Sequence, residues 1–244
     1  MYKTFKILSL LLTYPEREIQ VAAGEMKAVL AAEKLVPPNC MKGLSGLLDE
    51  LAAGDLYDLQ ARYILLFDRS RSLSLHLFEH IHGESRDRGQ AMVDLAEHYA
   101  AHGMELSARE LPDFLPLFLE FLSTRALPEA RELLDQPLNV IAALGERLRK
   151  RNSAYAWVML TLEGIAKGKP VRAELDVLLA EPEDDPEDLV ALDRNWEDQP
   201  VTFGPANAAG GVAPGGGCPA VRGTLARMDP SGAEAPGASG AKNH

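Results

Sequence analysis

The sequence predicts an all-α fold: a single helical-bundle domain with a disordered C-terminal tail. Three observations carry that prediction. Apolar residues recur at i, i+3, i+4 and i+7 through residues 1–180, the spacing of one buried helix face. Strict apolar–polar alternation, the mark of a half-buried strand, is almost absent. Proline and glycine fall between the apolar stripes at short intervals, as expected of helices that turn back along their neighbours.

The opening run MYKTFKILSLLL reads as the first amphipathic helix. A secretory signal needs about 7–15 apolar residues and a small-residue cleavage site. Here Ser9 cuts the run, and Thr13, Tyr14 and Pro15 end it. Ile19, Ala22, Ala23, Met26 and Leu30 form the second stripe, which Pro37 and Pro38 terminate. Leu44, Leu47, Leu48 and Leu51 form the third, with Gly54 at its C-terminal cap. Asp55 is placed to cap a helix presenting Leu56, Leu59, Tyr63 and Leu66. Met92, Leu95, Ala96 and Tyr99 make the next stripe, closed by Gly103. Residues 113–123 are apolar on all sides, so that helix belongs mid-bundle, with Asp113 expected as its N-cap. Further helices are expected at about 129–136, 138–151, 153–167 and 170–180, separated by Pro128, Pro137, Asn152 and Gly168.

The composition then changes. Residues 181–204, EPEDDPEDLVALDRNWEDQPVTFG, are acidic, with Leu189, Leu192, Trp196 and Phe203 as candidate anchors; partial docking through Trp196 and Phe203 and a solvated linker both fit this composition. Residues 205–244 are rich in Gly, Pro and Ala and cannot bury enough apolar surface to offset their ordering entropy, so disorder is expected. The domain boundaries are therefore 1–180, 181–204 and 205–244.

A formal net charge of −11 argues against nucleic acid or an anionic membrane as partner, because both repel an acidic surface. No run reaches the ~20 apolar residues that span a bilayer; FLPLFLEFL at 114–122 is short and holds Pro116 and Glu120. Cys40 and Cys218 sit in unrelated contexts, which points to a reducing, cytoplasmic setting rather than a disulfide framework.

Chemistry-bearing residues concentrate in HLFEHIHGESRDRGQ, residues 76–90. His76, Glu79 and His80 spell H-x-x-E-H, a zinc-hydrolase ligand order. On a helix the two histidines would share a face at i, i+4, with Glu79 as base and a third ligand still to be supplied. His98 and His102 form a second i, i+4 pair. Against the zinc reading, the five-residue pattern is short, and peptidases using it are built on an α/β domain that this sequence does not offer. Glu84, Arg86, Asp87 and Arg88, between Gly83 and Gly89, can lock a loop through charge-assisted bonds or present charges to a partner. Ser85 is placed to cap the helix that follows. Other templates fail: there is no G-x-S-x-G elbow, and AKGKP at 166–170 is not a phosphate-binding loop.

The longer run YILLFDRSRSLSLHLFEHIHGESRDRGQAMVDL, Tyr63 to Leu95, resembles the signature of the nitrate reductase delta-subunit assembly chaperones, which are all-helical redox-enzyme maturation proteins. FKILSLLLTYP, LPDFLPLFLEFLS and WEDQPVTFG extend the likeness over roughly residues 5–203. The signature carries over onto Phe78, Glu79, His80, His82, Gly83, Glu84, Ser85, Arg86, Asp87, Arg88, Gly89 and Gln90. The resemblance implies a chaperone, not an enzyme, without a cofactor of its own. It implies cytoplasmic binding of the N-terminal segment of the catalytic α subunit in the immature αβ complex. It further implies support for iron–sulfur and molybdenum cofactor insertion and delayed membrane attachment. Contact with the cofactor-insertion proteins is left open.

An acidic all-α domain suits capture of a basic amphipathic helix in a groove. On that reading Tyr63, Leu66 and Phe67 lie near the groove, and Asp68, Glu79 and Glu84 supply negative charge. His80, Arg86, Asp87 and Arg88 set the loop geometry or touch the client. Titration of His76, His80 and His82 beside Glu79 and Glu84 would make client release pH-sensitive.

Overall fold

The computed structural model describes residues 2–82, 85, 87–107 and 110–181. The segments 182–204 and 205–244, with Trp196, Phe203 and Cys218, lie outside the described residues, as do Gly83, Glu84 and Arg86. Within the described residues the chain is helical throughout: α1 (Lys3–Leu11), α2 (Arg17–Glu33), α3 (Pro38–Ala53), α4 (Leu56–Tyr63), α5 (Leu77–His82), α6 (Asp87–Ala101), α7 (Leu115–Thr124), α8 (Leu127–Leu134), α9 (Leu138–Lys150), α10 (Ala156–Ile165) and α11 (Arg172–Ala180). A π-turn (Ile64–Asp68) extends α4, and a 3-10 turn (Arg71–Leu73) follows it. Among these residues β pairing is confined to one antiparallel bridge between His76 and Phe114.

Capping explains several of the boundaries. Asp55 accepts from the Tyr57 and Asp58 amides at 2.9 and 3.3 Å, so α4 starts where its sequence signal lies. Gly54 ends α3, and Gln20 reaches across from α2 to donate to the Leu51 and Gly54 carbonyls at 2.8 and 2.9 Å. No side chain at its own N-cap serves α1; Glu33, the last residue of α2, does so instead. Its carboxylate accepts from the Lys3 amide, the Thr4 amide and the Thr4 hydroxyl at 2.8–2.9 Å. Gly103, at φ +79°, closes α6 with the Gly103 amide on the Ala100 carbonyl and the Met104 amide on the Tyr99 carbonyl, the two bonds of a Schellman motif.

The expected mid-bundle helix is α7, which buries every residue except Glu120 and Thr124. α1 packs along it, and the Ser9 hydroxyl donates to the Pro116 carbonyl at 2.6 Å. Its expected cap is corrected: the N-cap position is Phe114, and Asp113 turns its side chain elsewhere. α2 packs on α3 and α10 on α9, while α11 lays Leu175 against Ala142 and Ala143 of α9. The stripe on α6 is only partly covered. Tyr99 is buried, but Met92, Leu95 and Ala96 remain half-exposed, because α6 lies at the margin of the bundle rather than within it.

Candidate functional site

Residues 70–76 join the π-turn to α5 and form the structural centre of the signature region. Ser70, Ser72, Leu73, Ser74 and Leu75 are all buried, so backbone polar groups here need partners. Those partners come from four directions. Arg147 on α9, only 1% exposed, donates to the Ser72 carbonyl at 2.7 Å and to the Leu178 carbonyl of α11 at 2.6 Å. The His80 ring Nε2–H donates to the Ser74 carbonyl at 2.8 Å. The Leu115 amide donates to the Leu75 carbonyl at 2.8 Å, and the Leu77 amide to the Asp113 carbonyl at 3.0 Å. Ser70 and Ser72 pair their own hydroxyls at 3.1 Å.

Asp113 is the second organiser. It is fully buried, and its Oδ2 accepts from the Phe78 amide at 3.1 Å, capping α5. Its Oδ1 receives the Nδ1–H of His76 at 3.1 Å. Arg88, in the first turn of α6, donates to Glu79 Oε1 of α5 at 3.2 Å and lies 3.9 Å from Asp113 Oδ2. One guanidinium thus fastens the start of α6 to α5 and to the buried carboxylate.

This geometry dissolves the zinc reading. α5 begins at Leu77, so His76 lies outside the helix, in the bridge to Phe114, and shares no helix face with His80. Each imidazole is committed to a protein acceptor, Asp113 for one and Ser74 for the other. The His98 and His102 rings meet at 4.4 Å, tilted by 47°, with His102 Nδ1–H donating to the His98 carbonyl. Among the described residues no three His, Cys, Asp or Glu side chains converge as a metal site would require. Burial pushes the His80 and His82 imidazoles below their usual 6.5, which keeps both neutral at pH 7 and above.

The remaining signature residues divide by environment. Phe78 is core. His82 is half-buried with its ring edge-on to Phe78 at 5.4 Å, while Ser85, Asp87, Gly89 and Gln90 are exposed. Ser85 takes part through its carbonyl, which accepts from the Arg88 amide at 3.2 Å, and Gln90 donates to Asp94. Tyr63, Leu66 and Phe67 lie in the core, each less than a tenth exposed, so a client reaches them only by displacing their neighbours. Tyr63 donates its hydroxyl to the Leu12 carbonyl at 2.9 Å and packs at a tilt against Phe67, which in turn meets Tyr155 at 5.2 Å. Asp68, at the end of the π-turn, is exposed. A separate apolar groove of about 310 Å³ runs between α1 and α2, floored by Ile7, Ala22 and Met26; no signature residue lines it.

Sequence reading misses one organiser, Arg147, and misassigns the other, Asp113. Arg147 carried a usable signal, because it continues the apolar stripe Val140, Leu144, Leu148 of α9 at a position where a cation must be paired to be buried. Asp113 was noticed, but for the helix it precedes rather than the one it caps.

The signature region falls within a longer match: residues 33–160 fit the model of the nitrate reductase delta subunit family. The chain belongs to the nitrate reductase delta subunit family. It is 44% identical over 200 residues to the nitrate reductase molybdenum cofactor assembly chaperone NarJ of Escherichia coli K12, covering 81% of this chain and 83% of that protein. It is 36% identical over 203 residues to the probable assembly chaperone NarW of the same organism, covering 83% and 84% of the two chains. The probable assembly chaperone NarJ of Bacillus subtilis is 28% identical over 173 residues, 71% of this chain and 93% of the relative. Delta subunit family membership sets the chain among assembly chaperones rather than catalysts. The matched span runs from the last residue of α2 into α10 and so contains Arg88, Glu79, Asp113 and Arg147 together.

Proposed function

We propose that this protein is a molybdenum cofactor assembly chaperone for a nitrate reductase, and that it captures the N-terminal segment of the catalytic α subunit. The observation that carries the reading is the 44% identity to NarJ over 81% of the chain. In this role it engages the immature αβ complex in the cytoplasm, supports iron–sulfur and molybdenum cofactor insertion, and delays membrane attachment. It carries no cofactor. The net charge of −11 suits a basic client segment and speeds its encounter. Among the described residues no helix is long and apolar enough to cross a membrane.

The client-facing residues on this reading are Asp68, Glu79, His80 and Asp87, with Arg88 setting the local geometry through Glu79 and Glu84 and Arg86 adding charge to the same stretch of sequence. Tyr63, Leu66 and Phe67 act from beneath, as the packed floor of the turn that presents Asp68. Residues 1–180 are the chaperone domain, followed by the acidic stretch 181–204 and the Gly/Pro/Ala-rich stretch 205–244.

The test is calorimetry of the full chain with the α subunit's N-terminal peptide at two salt concentrations. The expected result is one-to-one binding that weakens as salt rises; absence of binding at low salt sinks the proposal. Co-purification with the mature membrane enzyme, rather than with the immature complex, would point to a permanent subunit instead.

A further inference from the structure

α6 is fastened at its two ends by different chemistry. At the C-terminal end Tyr99 is buried, its ring 4.7 Å from Phe121 and its hydroxyl donating to the Pro112 carbonyl at 3.0 Å. The Schellman turn at Gly103 then locks the chain beyond it. At the N-terminal end the attachment is Arg88, held to Glu79 at 3.2 Å and near Asp113 at 3.9 Å. Between the two ends Ala91, Met92 and Leu95 rest on the core only partly covered, and Val93 is half-exposed to solvent. Few fully buried contacts over most of a helix place it at the low-stability end of a structure.

We propose that α6 is a strap, hinged at Tyr99 and released by opening of the Arg88–Glu79 pair, and that the client's basic amphipathic helix seats on the apolar surface so uncovered. The partner's chemistry follows from what Arg88 leaves behind. Asp113 is fully buried, and its carboxylate favours a cation nearby, which Arg88 supplies at 3.9 Å. A helix carrying an arginine or lysine beside its apolar face replaces Arg88 at Glu79 and Asp113 while it covers the surface beneath Ala91, Met92 and Leu95. The identity of the client rests on the function proposed above; the strap itself does not.

Hydrogen exchange by mass spectrometry on the full chain tests the strap without any client. Residues 90–96 are expected to exchange through local opening, faster than residues 99–104 and faster than α7. Arg88→Gln and Glu79→Gln should each raise that rate about two- to fivefold, the effect of losing a partly exposed ion pair, and leave α7 unchanged. The double variant should match Arg88→Gln, since Arg88 carries both the Glu79 and the Asp113 contacts. Exchange of all α6 as one unit with α7, no response to either substitution, or additive effects would overturn the proposal.

The α subunit's N-terminal peptide supplies the second arm. Arg88→Gln should bind it about two- to fivefold more tightly, because the open form is already populated, whereas Glu79→Gln should bind it more weakly. Equal or weaker binding by Arg88→Gln removes the seating of the client under the strap. If the wild type binds no peptide, the proposed function fails and the exchange rates alone decide whether α6 opens.

Discussion

The Asp113 carboxylate caps a helix that lies 35 residues before it in the chain: its Oδ2 accepts from the Phe78 amide at 3.1 Å, inside the first turn of α5. The same group receives His76 and faces Arg88, so one buried side chain joins the bridge segment, α5 and α6.

Asp113→Ala should therefore cost about 2–3 kcal/mol, combining a lost cap with an unpaired buried amide. Asp113→Asn retains an acceptor for Phe78 and should cost roughly 1 kcal/mol. Urea denaturation of the two variants checks the order; equal losses would show that the cap is not what Asp113 contributes.

Arg147→Met fills the same space but strips the donors from the Ser72 and Leu178 carbonyls. The expected loss is about 2–4 kcal/mol, accompanied by faster amide exchange near the end of α11. A variant as stable as the parent would mean that the two carbonyls find other partners.

Glu33 gives a pH signature. Burial alone would raise its carboxyl pKa, but the hydrogen bonds from Thr4 and Lys3 more than offset it, and the value lies below 4.5. A depressed carboxyl stabilises the fold when ionised, so its contribution is complete above pH 4.5 and fades as pH falls through the folded value. Glu33→Gln should lower stability by about 1 kcal/mol at pH 7, and the gap to the parent should close in acid. A gap that stays constant down to pH 3 would assign the loss to packing rather than charge.

Gly43 lies directly under the Trp157 ring, where an added Cβ would fall 2.0 Å from it. Trp157 is 36% exposed and can swing outward, so Gly43→Ala should cost about 1–2 kcal/mol rather than unfold the chain. In a Trp196→Phe background the fluorescence should move to longer wavelength as the ring enters water. Unchanged emission would show that α3 shifts instead.

The helical frame was legible because its signals are local. The Asp55 cap, the Gly54 and Gly103 terminators and the all-round apolar α7 each follow from residues within a few positions of one another. The site was less legible because its geometry is assembled across the chain. Nothing near His76 announces that α5 starts one residue later, since that start is set by Asp113, and nothing near Ser72 announces that Arg147 will complete it. The stripe on α6 is plainly periodic in the sequence, but periodicity does not say how deep a helix sits. Its half-exposure is decided by position at the bundle margin.

The pairing of α1 with α7 has a consequence during synthesis. Ser9 and Pro116, which bond across that interface, are 107 residues apart. At about 5–20 residues per second the ribosome needs roughly 5–20 s to make that intervening length. Through that interval the apolar face of α1 waits for the helix that covers it, with α2 beside it. Nascent chains stalled before residue 116 should therefore crosslink through Phe5 and Leu8 to a ribosome-bound folding factor, and chains stalled well past α7 should not.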